Sequence, residues 1–198
     1  MPDTDKEIVK EDKDIKPDTF YGYASRIASG DMGHYFYSLH EDYFYFYKDG
    51  YWQKINEIQF LGEIQRKIVQ LIKFPISMRK QVTENFKHLR YLKLEELNNH
   101  PLINFENYMF DPMGMNVLAH KPEYYSTIRV NYKYDQLAKC PLWIKTLNEI
   151  LEGDINKISL LQEFFGYCLL PEIDQKKALL LLGETDTGKS TILFILKD

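Results

Sequence analysis

Two glycines, a lysine and a serine near the carboxyl terminus have a spacing that suits phosphate chemistry. They form Gly183-x-x-x-x-Gly188-Lys189-Ser190, the P-loop pattern of nucleotide triphosphatases. A triphosphate is a dense anion, and the amides at a helix N-terminus, with the positive end of the helix dipole, attract it. Glycines let the backbone approach the phosphates closely, because neither carries a Cβ. The pattern therefore predicts a site for a nucleoside triphosphate.

Each residue of this segment has an expected role. Lys189, the candidate catalytic residue, reaches the β- and γ-phosphates, and the Ser190 hydroxyl completes the coordination shell of Mg²⁺. The amides from Thr185 to Thr191 point inward as an anion-binding nest. ATP and Mg²⁺ are the expected cofactors. The predicted cofactor-binding residues are Gly183, Glu184, Thr185, Asp186, Thr187, Gly188, Lys189, Ser190 and Thr191.

A strand and a helix must hold such a loop in place. Residues 178–182 form an apolar run of the length typical of a buried parallel strand, and this run ends directly before the first glycine. Residues 190–196 predict an apolar helix. The alternative is a glycine turn that only joins a strand to a helix. That alternative gives the lysine and the neighbouring hydroxyl no packing role.

The remaining parts of an ATPase are not found in these 198 residues. A P-loop domain needs further parallel strands, a later carboxylate for Mg²⁺ and water, and usually an arginine finger. Only a short segment follows Ser190. We therefore expect a complete front region, then the first βα unit of an ATPase, in a chain that was excised from a longer protein or ends early.

Composition indicates a globular protein with no general affinity for nucleic acid. Hydrophobic residues make up 44% and charged residues 27%, and the net charge is −4, so DNA contact requires a local basic patch. Cys140 and Cys168 match no metal-binding spacing and are expected to be reduced thiols in a cytosol-like compartment. No stretch predicts a membrane span or a signal peptide, so we expect a cytoplasmic protein with no membrane partner.

The front of the chain combines a charged tail with an aromatic hairpin. Residues 1–18 are almost free of apolar side chains and predict a disordered tail, and a short helix is expected over residues 20–27. Within residues 35–55, tyrosines alternate with phenylalanines, and Asp49-Gly50 is typical of a tight turn. We expect the phenylalanines in the core and the tyrosine hydroxyls in water. Alternatively, exposed tyrosines such as Tyr45 stack on single-stranded bases.

Two helices are predicted next, over residues 56–72 and 78–97. Apolar residues at helical spacing define their buried faces, and Pro75 separates the two helices. Lys80, Lys87 and Arg90 share one side of the second helix. Such a stripe could follow a phosphate backbone, but a solvated helix face is the interpretation that the acidic net charge favours. The buried residues predicted are Leu61, Ile64, Ile68 and Leu71 in the first helix, and Val82, Phe86 and Leu89 in the second.

The stretch from residue 102 to residue 172 mixes short strands with two helices. Asp111 to Gly114 predicts a turn, residues 127–132 predict a strand, and His120 has no second metal ligand at a suitable spacing, which indicates a structural role. Pro141 begins a helix that ends at Gly153, and Asp154 caps the next helix. The expected apolar residues are Leu142, Ile144, Leu147, Ile150 and Leu151 in the first of these helices, and Ile158, Leu161, Phe165 and Leu169 in the second.

Several of these segments, taken as an ordered set, resemble the phage and plasmid primase-helicase family, which is related to the poxvirus D5-type replicative ATPase. The resemblance covers about residues 35–198. The matching segments are Phe46-Tyr-Lys-Asp-Gly-Tyr-Trp52, Asn104-Phe-Glu-Asn107, His120-Lys-Pro-Glu123, Tyr132-Lys-Tyr-Asp135, Cys140-Pro-Leu-Trp143, Leu161-Gln-Glu-Phe-Phe-Gly-Tyr-Cys168 and Gly183 to Thr191.

Two differences from the family pattern concern local shape. The family often has Asn-Gly where this chain has Asn107-Tyr108, and it often has Gly and Asn where Thr185 and Thr187 stand. Neither difference involves Lys189 or the serine that follows it. The second one affects the expected shape of the loop.

The resemblance implies an α+β fold: a mainly helical pre-helicase domain with aromatic β-hairpins, followed by the first βα unit of a P-loop domain of the AAA+ type. The expected boundaries are a tail at 1–18, the pre-helicase domain at 19–172 and the start of the helicase domain at 173–198. The implied function is ATP-driven unwinding of DNA during replication of a virus, phage or plasmid-like element. The implied partners are DNA, further subunits in a ring, usually a hexamer, and primase or other replication proteins.

Two alternatives stay open at this point. The chain is a non-catalytic adaptor, assembly or DNA-binding module, an interpretation that the absence of later ATPase sequence motifs favours. Or it is a P-loop enzyme of another class, such as a GTPase or small-molecule kinase. Such enzymes usually carry the P-loop near the start of the domain, and the long region before residue 183 argues against them.

Overall fold

The computed structural model describes residues 19–30, 33–69, 76–171 and 176–197. The predicted tail at residues 1–18 and the predicted boundary at 172–173 lie outside this part of the chain. The protein divides into two compact units, Met1–Leu97 and Asn98–Asp198. Both helices and strands are present, as expected for an α+β protein. Within the described residues, none of the helices has the length and apolar character needed to cross a membrane.

In its described residues, the first unit contains a four-stranded sheet and three α-helices. Its sheet has the order β3-β2-β1-β4, in which β4 runs parallel to β1 and the other neighbours are antiparallel. The elements are α1 (Phe20–Ala28), β1 (Tyr35–Ser38), β2 (Tyr43–Lys48), β3 (Tyr51–Ile55), α2 (Glu57–Val69), α3 (Arg79–Leu89) and β4 (Tyr91–Leu92), with 3₁₀ turns at Ile76–Met78 and Leu94–Glu96.

The predicted hairpin is confirmed in its register. Lys48 pairs with Tyr51, so Asp49 and Gly50 form a two-residue turn between β2 and β3. Their φ values of 53° and 84° are both positive, which is the requirement of the turn type that matches the twist of paired strands. Aspartate and glycine adopt such angles at low cost, and this explains why the chain reverses here.

One face of the sheet packs on the helices through aromatic rings. Phe44 of β2 stacks on Phe60 of α2 with ring centres 4.2 Å apart, and Phe60 lies 5.0 Å from Phe86 of α3. All three side chains are buried. The buried cluster comprises Tyr23, Ala24, Ile27, Tyr35, Tyr37, Phe44, Phe60, Ile64, Val82 and Phe86. The alternation of residues in β2 thus directs its phenylalanines into the core, as predicted.

The tyrosines of β2 do not all face water, and for Tyr45 both the predicted hydroxyl in water and the alternative of an exposed ring are wrong. Tyr45 is buried, and its ring stacks on Phe36 with centres 4.7 Å apart. Its hydroxyl donates a hydrogen bond to the Glu41 carboxylate. Phe36 and Trp52 are also fully buried, so both faces of the central strands are covered. Stacking of Tyr45 on bases is therefore excluded in this fold.

The helices differ from the predictions mainly at their ends. Asn56 caps α2: its side chain accepts from the Gln59 amide, and the Gln59 side chain accepts from the Asn56 amide. The predicted end at residue 72, Leu71 and Pro75 lie outside the described residues. The second helix ends at Leu89 and not at residue 97, because Tyr91 and Leu92 pair with β1 as a fourth strand. Burial of Leu92 favours that pairing over another helical turn.

The second unit begins with a small antiparallel sheet of order β5-β6-β7. Its strands are β5 (Ile103–Asn104), β6 (Met109–Asp111) and β7 (Asn116–Leu118), followed by a 3₁₀ turn at Pro122–Tyr124. The predicted turn after β6 is confirmed, since the Asp111 carboxylate accepts hydrogen bonds from the amides of Met113 and Gly114. An aspartate in this position stabilises the reversal without help from the strands.

The prediction of a strand at residues 127–132 is wrong, because this segment forms no regular β-structure. The segment lies beside β5 and makes isolated backbone bonds, such as the one from the Val130 amide to the Asn104 carbonyl. Asparagine side chains hold it instead. Asn98 bonds the Thr127 amide, and Asn107 bonds both the amide and the carbonyl of Tyr134. These side chains take backbone partners that a continuous ladder would otherwise use.

Three helices complete the second unit: α4 (Pro141–Ile150), α5 (Ile155–Cys168) and α6 (Lys189–Lys197). The predicted start at Pro141 is confirmed, and Gly153 follows α4 with a positive φ of 71°. Asp154 caps α5 by accepting from the amides of Asn156 and Lys157, as predicted. Three residues that were predicted to lie on the apolar faces of α4 and α5 are exposed instead: Leu142, Ile144 and Leu169.

Replacement of Phe60 by alanine is expected to destabilise the first unit by about 3–5 kcal/mol, because it removes the ring between Phe44 and Phe86. Ile58 provides a matched control on the same helix, since its side chain is 82% exposed. The Ile58→Ala change should alter stability by less than about 0.5 kcal/mol. Urea unfolding followed by tyrosine and tryptophan fluorescence measures both. Equal effects would contradict the proposed core.

The Glu41 carboxylate is expected to make stability depend on pH. The hydrogen bond from Tyr45, with Lys54 nearby, holds the pKa of Glu41 below its usual value of 4.5. A lowered folded-state pKa stabilises the fold above the unfolded-state pKa, and this contribution disappears as the pH falls through the folded-state value. Glu41→Gln should therefore lower stability at neutral pH, with a difference that shrinks below about pH 4.5. Urea unfolding of both proteins at pH 7 and at pH 3 measures this difference, and a difference that stays the same at both pH values would contradict the role of the Glu41 carboxylate.

Candidate functional site

The glycine-rich loop is positioned by an apolar cluster in the second unit. Leu147 of α4, Leu161 of α5 and Ile192 of α6 are buried against one another. Leu179 and Leu181 of the segment before the loop pack on the same cluster. This packing holds both ends of the loop, the extended segment on one side and the helix on the other, against α4 and α5.

The segment at residues 178–182, which was predicted to form a strand, does not belong to a β-sheet. Among the described residues, no segment forms a β-ladder with it, and an extended segment becomes a strand only through a hydrogen-bonded neighbour. The alternation that strands show is nevertheless present. Leu179 and Leu181 face the cluster, whereas Leu180 and Leu182 are 77% and 83% exposed. The predicted helix is confirmed and begins at Lys189, one residue before the expected start.

Gly188 meets two separate constraints that exclude a side chain. Its φ is +82°, in the left-handed region that glycine adopts most readily. A Cβ atom built on Gly188 would lie 2.4 Å from Cδ1 of Ile150, the last residue of α4. The loop backbone therefore rests directly on the end of α4. Sequence reasoning assigned this glycine to phosphate approach and missed its contact with Ile150.

The Lys189 ammonium group folds back over the loop. Nζ donates to the Gly183 carbonyl at 2.9 Å, to the Thr187 hydroxyl at 3.0 Å and to the Glu184 carbonyl. The Thr187 hydroxyl in turn donates to the Glu184 carbonyl at 2.9 Å. The structure thus brings together the lysine and the first glycine of the pattern. These hydrogen bonds of the Thr187 side chain were not predicted, because the sequence pattern leaves that position open.

The loop residues surround a shallow cavity of about 400 Å³, lined by Thr185 to Thr191. The first amides of α6 have no acceptor within the helix, since an α-helix leaves its first N–H groups unpaired. The Ser190 hydroxyl lies on the exposed first turn of the same helix. The ammonium group and the helix-start amides are hydrogen-bond donors that suit a polyphosphate. The hydroxyl oxygen suits the metal ion that accompanies it.

A second, more apolar cavity of about 390 Å³ lies beside the loop. It is formed by leucines of α5 and of the 178–182 segment, with Gly183, Thr187 and Lys189 at its polar edge. The loop therefore has a polar side and an apolar side.

Lys87, the middle residue of the basic stripe proposed for DNA contact, is not available as a surface cation. The Lys87 side chain is only 17% exposed, and its ammonium pairs with Glu57 at 3.5 Å and with Glu84 at 3.3 Å. It also lies 5.1 Å from the ring centre of Tyr37. Lys87 thus covers the aromatic core, so both the DNA interpretation and the solvated-face interpretation are wrong for this residue.

His120 has the structural role that was predicted. Its Nε2 atom lies 2.9 Å from the Phe105 carbonyl and 3.1 Å from the Asn104 side-chain oxygen. Both partners are acceptors, so the ring nitrogen carries the proton and donates. This contact ties the segment after β7 to the end of β5.

Comparison with known families identifies the front region. The model of a family described as D5 N terminal like matches residues 29–152, which is more than half of the chain. The chain belongs to this D5 N-terminal-like family. The matched domain is the pre-helicase domain of primase-helicase proteins. None of the curated proteins matches the chain. The family indicates a replication protein related to primase-helicases, with DNA and replication proteins as the kind of partner.

The D5 N-terminal-like match ends at residue 152, just after α4. Ile150, which supports the loop at Gly188, therefore lies inside the matched region. The glycine-rich loop lies outside it.

Replacement of Gly188 by alanine is expected to destabilise the second unit by about 1–3 kcal/mol, since the positive φ is strained for alanine and the Cβ meets Ile150. Gly166 in α5 is the matched control, because a Cβ there has no neighbour within 4 Å. Gly166→Ala should stabilise the helix by about 0.5–1 kcal/mol. Thermal unfolding measures both changes. A neutral Gly188→Ala variant would show that the loop is free to move off α4.

Proposed function

We propose that this protein acts in DNA replication as part of an ATP-dependent primase-helicase, and that residues 178–197 bind the phosphates of ATP. The observation that carries this proposal is the position of Lys189 at the start of α6, with its ammonium group over the Gly183–Gly188 loop. This loop follows a domain of the D5 N-terminal-like family, whose members are associated with replicative helicases.

The residues present fit a nucleotide with its magnesium ion. Gly188 lets phosphates approach the backbone closely, because it has no Cβ. Lys189 provides a cation, whose hydrogen bonds are made to neutral oxygens of the loop. Charged phosphate oxygens are stronger acceptors than carbonyls, so they can replace those partners. Lys189 would hold the β- and γ-phosphates, and Ser190 would help to hold Mg²⁺. The bound ATP would supply the free energy of hydrolysis.

The residues of this chain have binding and orienting roles in that reaction. The amides from Thr185 to Thr191 would donate to the phosphates and neutralise part of their charge. The leucines beside the loop give it an apolar neighbour on one side. Lys189 would counter the negative charge of the phosphates when hydrolysis takes place in the complete ATPase.

Ring assembly and DNA unwinding belong to this proposal and involve surfaces beyond the loop. We propose self-association into a ring, with a hexamer as the expected state, around single-stranded or forked DNA. The front domain would contribute to assembly, DNA contact or coupling to primase. The proposed location is the cytoplasm of the host cell or the viral replication site. Family membership supports the replication role and the kind of partner.

A non-catalytic adaptor is the second candidate function. The exposed leucines at 180 and 182 favour it, because they offer apolar surface to another protein. Among the described residues that follow the loop, 189–197, no side chain carries the later carboxylate of an ATPase. We therefore expect no measurable ATP hydrolysis from these 198 residues alone. Robust hydrolysis that Lys189→Ala abolishes would overturn that expectation and exclude the adaptor.

Nucleotide binding is tested directly by calorimetric titration of the full chain with ATP and Mg²⁺. Lys189→Ala should weaken binding by about tenfold or more, because it removes charge-assisted hydrogen bonds to phosphate. Lys197→Ala, at the other end of α6, is the control and should leave the affinity unchanged. If both variants bind ATP as the wild type does, the loop is not the site. If the wild type binds no nucleotide, the adaptor is the better conclusion.

A further inference from the structure

Thr187 occupies the centre of the hydrogen bonds that close the loop. Its hydroxyl accepts from Lys189 Nζ at 3.0 Å and donates to the Glu184 carbonyl at 2.9 Å. The first bond connects Thr187 to the lysine of the P-loop pattern, and the second connects it to the backbone of the loop. A hydroxyl has one proton to donate and two lone pairs, so a single side chain can make both bonds at once.

These bonds use the full donor capacity of Lys189. An ammonium group has three protons, and Nζ has three oxygen partners in the loop: the carbonyls of Gly183 and Glu184 and the Thr187 hydroxyl. No proton of the group is left to meet an incoming anion. A polyphosphate can bind Lys189 only after at least one of these partners has been released.

We propose that Thr187 is a latch that regulates access of polyphosphate to Lys189. The proposal rests on the nucleotide site described under Proposed function and adds a closed state of that site. In the closed state the Thr187 hydroxyl holds the ammonium over the loop. In the open state the Lys189–Thr187 bond is broken, and the ammonium binds phosphate oxygens.

Thr187 is the partner whose removal tests this idea most cleanly. The other two partners are backbone carbonyls, which substitution leaves in place. The Thr187 side chain is exposed, so its replacement leaves the apolar cluster under the loop intact. Valine has the shape of threonine without the hydroxyl, and serine keeps the hydroxyl without the methyl group. The pair Thr187→Val and Thr187→Ser therefore separates hydrogen bonding from shape.

The latch predicts tighter binding when the hydroxyl is lost. Thr187→Val should lower the Kd for inorganic triphosphate by about threefold to tenfold, which corresponds to one ordinary hydrogen bond that no longer competes. Thr187→Ser should bind as the wild type does. Calorimetric titration of the full chain with inorganic triphosphate gives these constants, and thermal unfolding confirms that each variant is folded. Thr187→Ala, which also lacks the hydroxyl, should repeat the valine result.

The rates distinguish a latch from a loosened loop. With a fluorescent ATP analogue in stopped flow, the latch predicts a faster association rate for Thr187→Val and an unchanged dissociation rate, because only the free state has changed. A loop that has merely lost order would release the analogue faster. Faster dissociation, or a Kd equal to or weaker than that of the wild type, would overturn the latch.

Failure of the latch differs from failure of the nucleotide site itself. If the wild type binds triphosphate and Lys189→Ala does not, but Thr187→Val matches the wild type, the site stands and the latch is wrong. If neither the wild type nor Thr187→Val binds triphosphate or ATP, the site is wrong and the latch falls with it.

Discussion

The contact of Leu147 and Leu161 with Ile192 is the interaction on which the candidate site depends. A glycine-rich loop has no side chains to hold its own shape, so its conformation is imposed at its two ends. Here one end is an extended segment anchored by alternate leucines, and the other is a helix anchored by Ile192. Burial of these side chains away from water provides a stabilisation that hydrogen bonds within the exposed loop do not match.

The same packing joins the family domain to the loop. Helix α4 lies within the region that the D5 N-terminal-like family covers, and its last residue, Ile150, occupies the space that a Cβ of Gly188 would need. Helix α4 is therefore part of the support of the loop and not only a neighbour in sequence. A change in the shape of the loop at Gly188 must either keep this contact or move the end of α4.

Local sequence patterns predicted those features that local chemistry determines. The turn at Asp49-Gly50, the cap at Asp154 and the helix start at Pro141 each depend on a few adjacent residues. Features that depend on distant partners were predicted less well. Tyr45 is buried because the second face of the sheet is also covered, and Lys87 is withdrawn from solvent by Glu57, thirty positions earlier in the chain. The spacing of apolar residues along a strand or a helix carries no information about such partners.

The candidate site shows the same division. The positions of the glycines and of Lys189 follow a short pattern and were predictable, as was the helix after them. The support from Ile150 and the bonding of Thr187 depend on how the loop closes, and a pattern that leaves four positions open does not specify this. Whether residues 178–182 form a strand also depends on a hydrogen-bonded neighbouring strand, since alternation of buried and exposed side chains alone does not make a β-ladder.

The exposed side chains of Leu180 and Leu182 have a practical consequence for work with the purified protein. Apolar surface of this kind drives self-association that strengthens in sulfate and weakens on cooling. Electrostatic contact with nucleic acid has the opposite response to salt, because it depends on the release of counterions. The direction in which added salt shifts a complex thus separates adhesion through these leucines from contact with DNA.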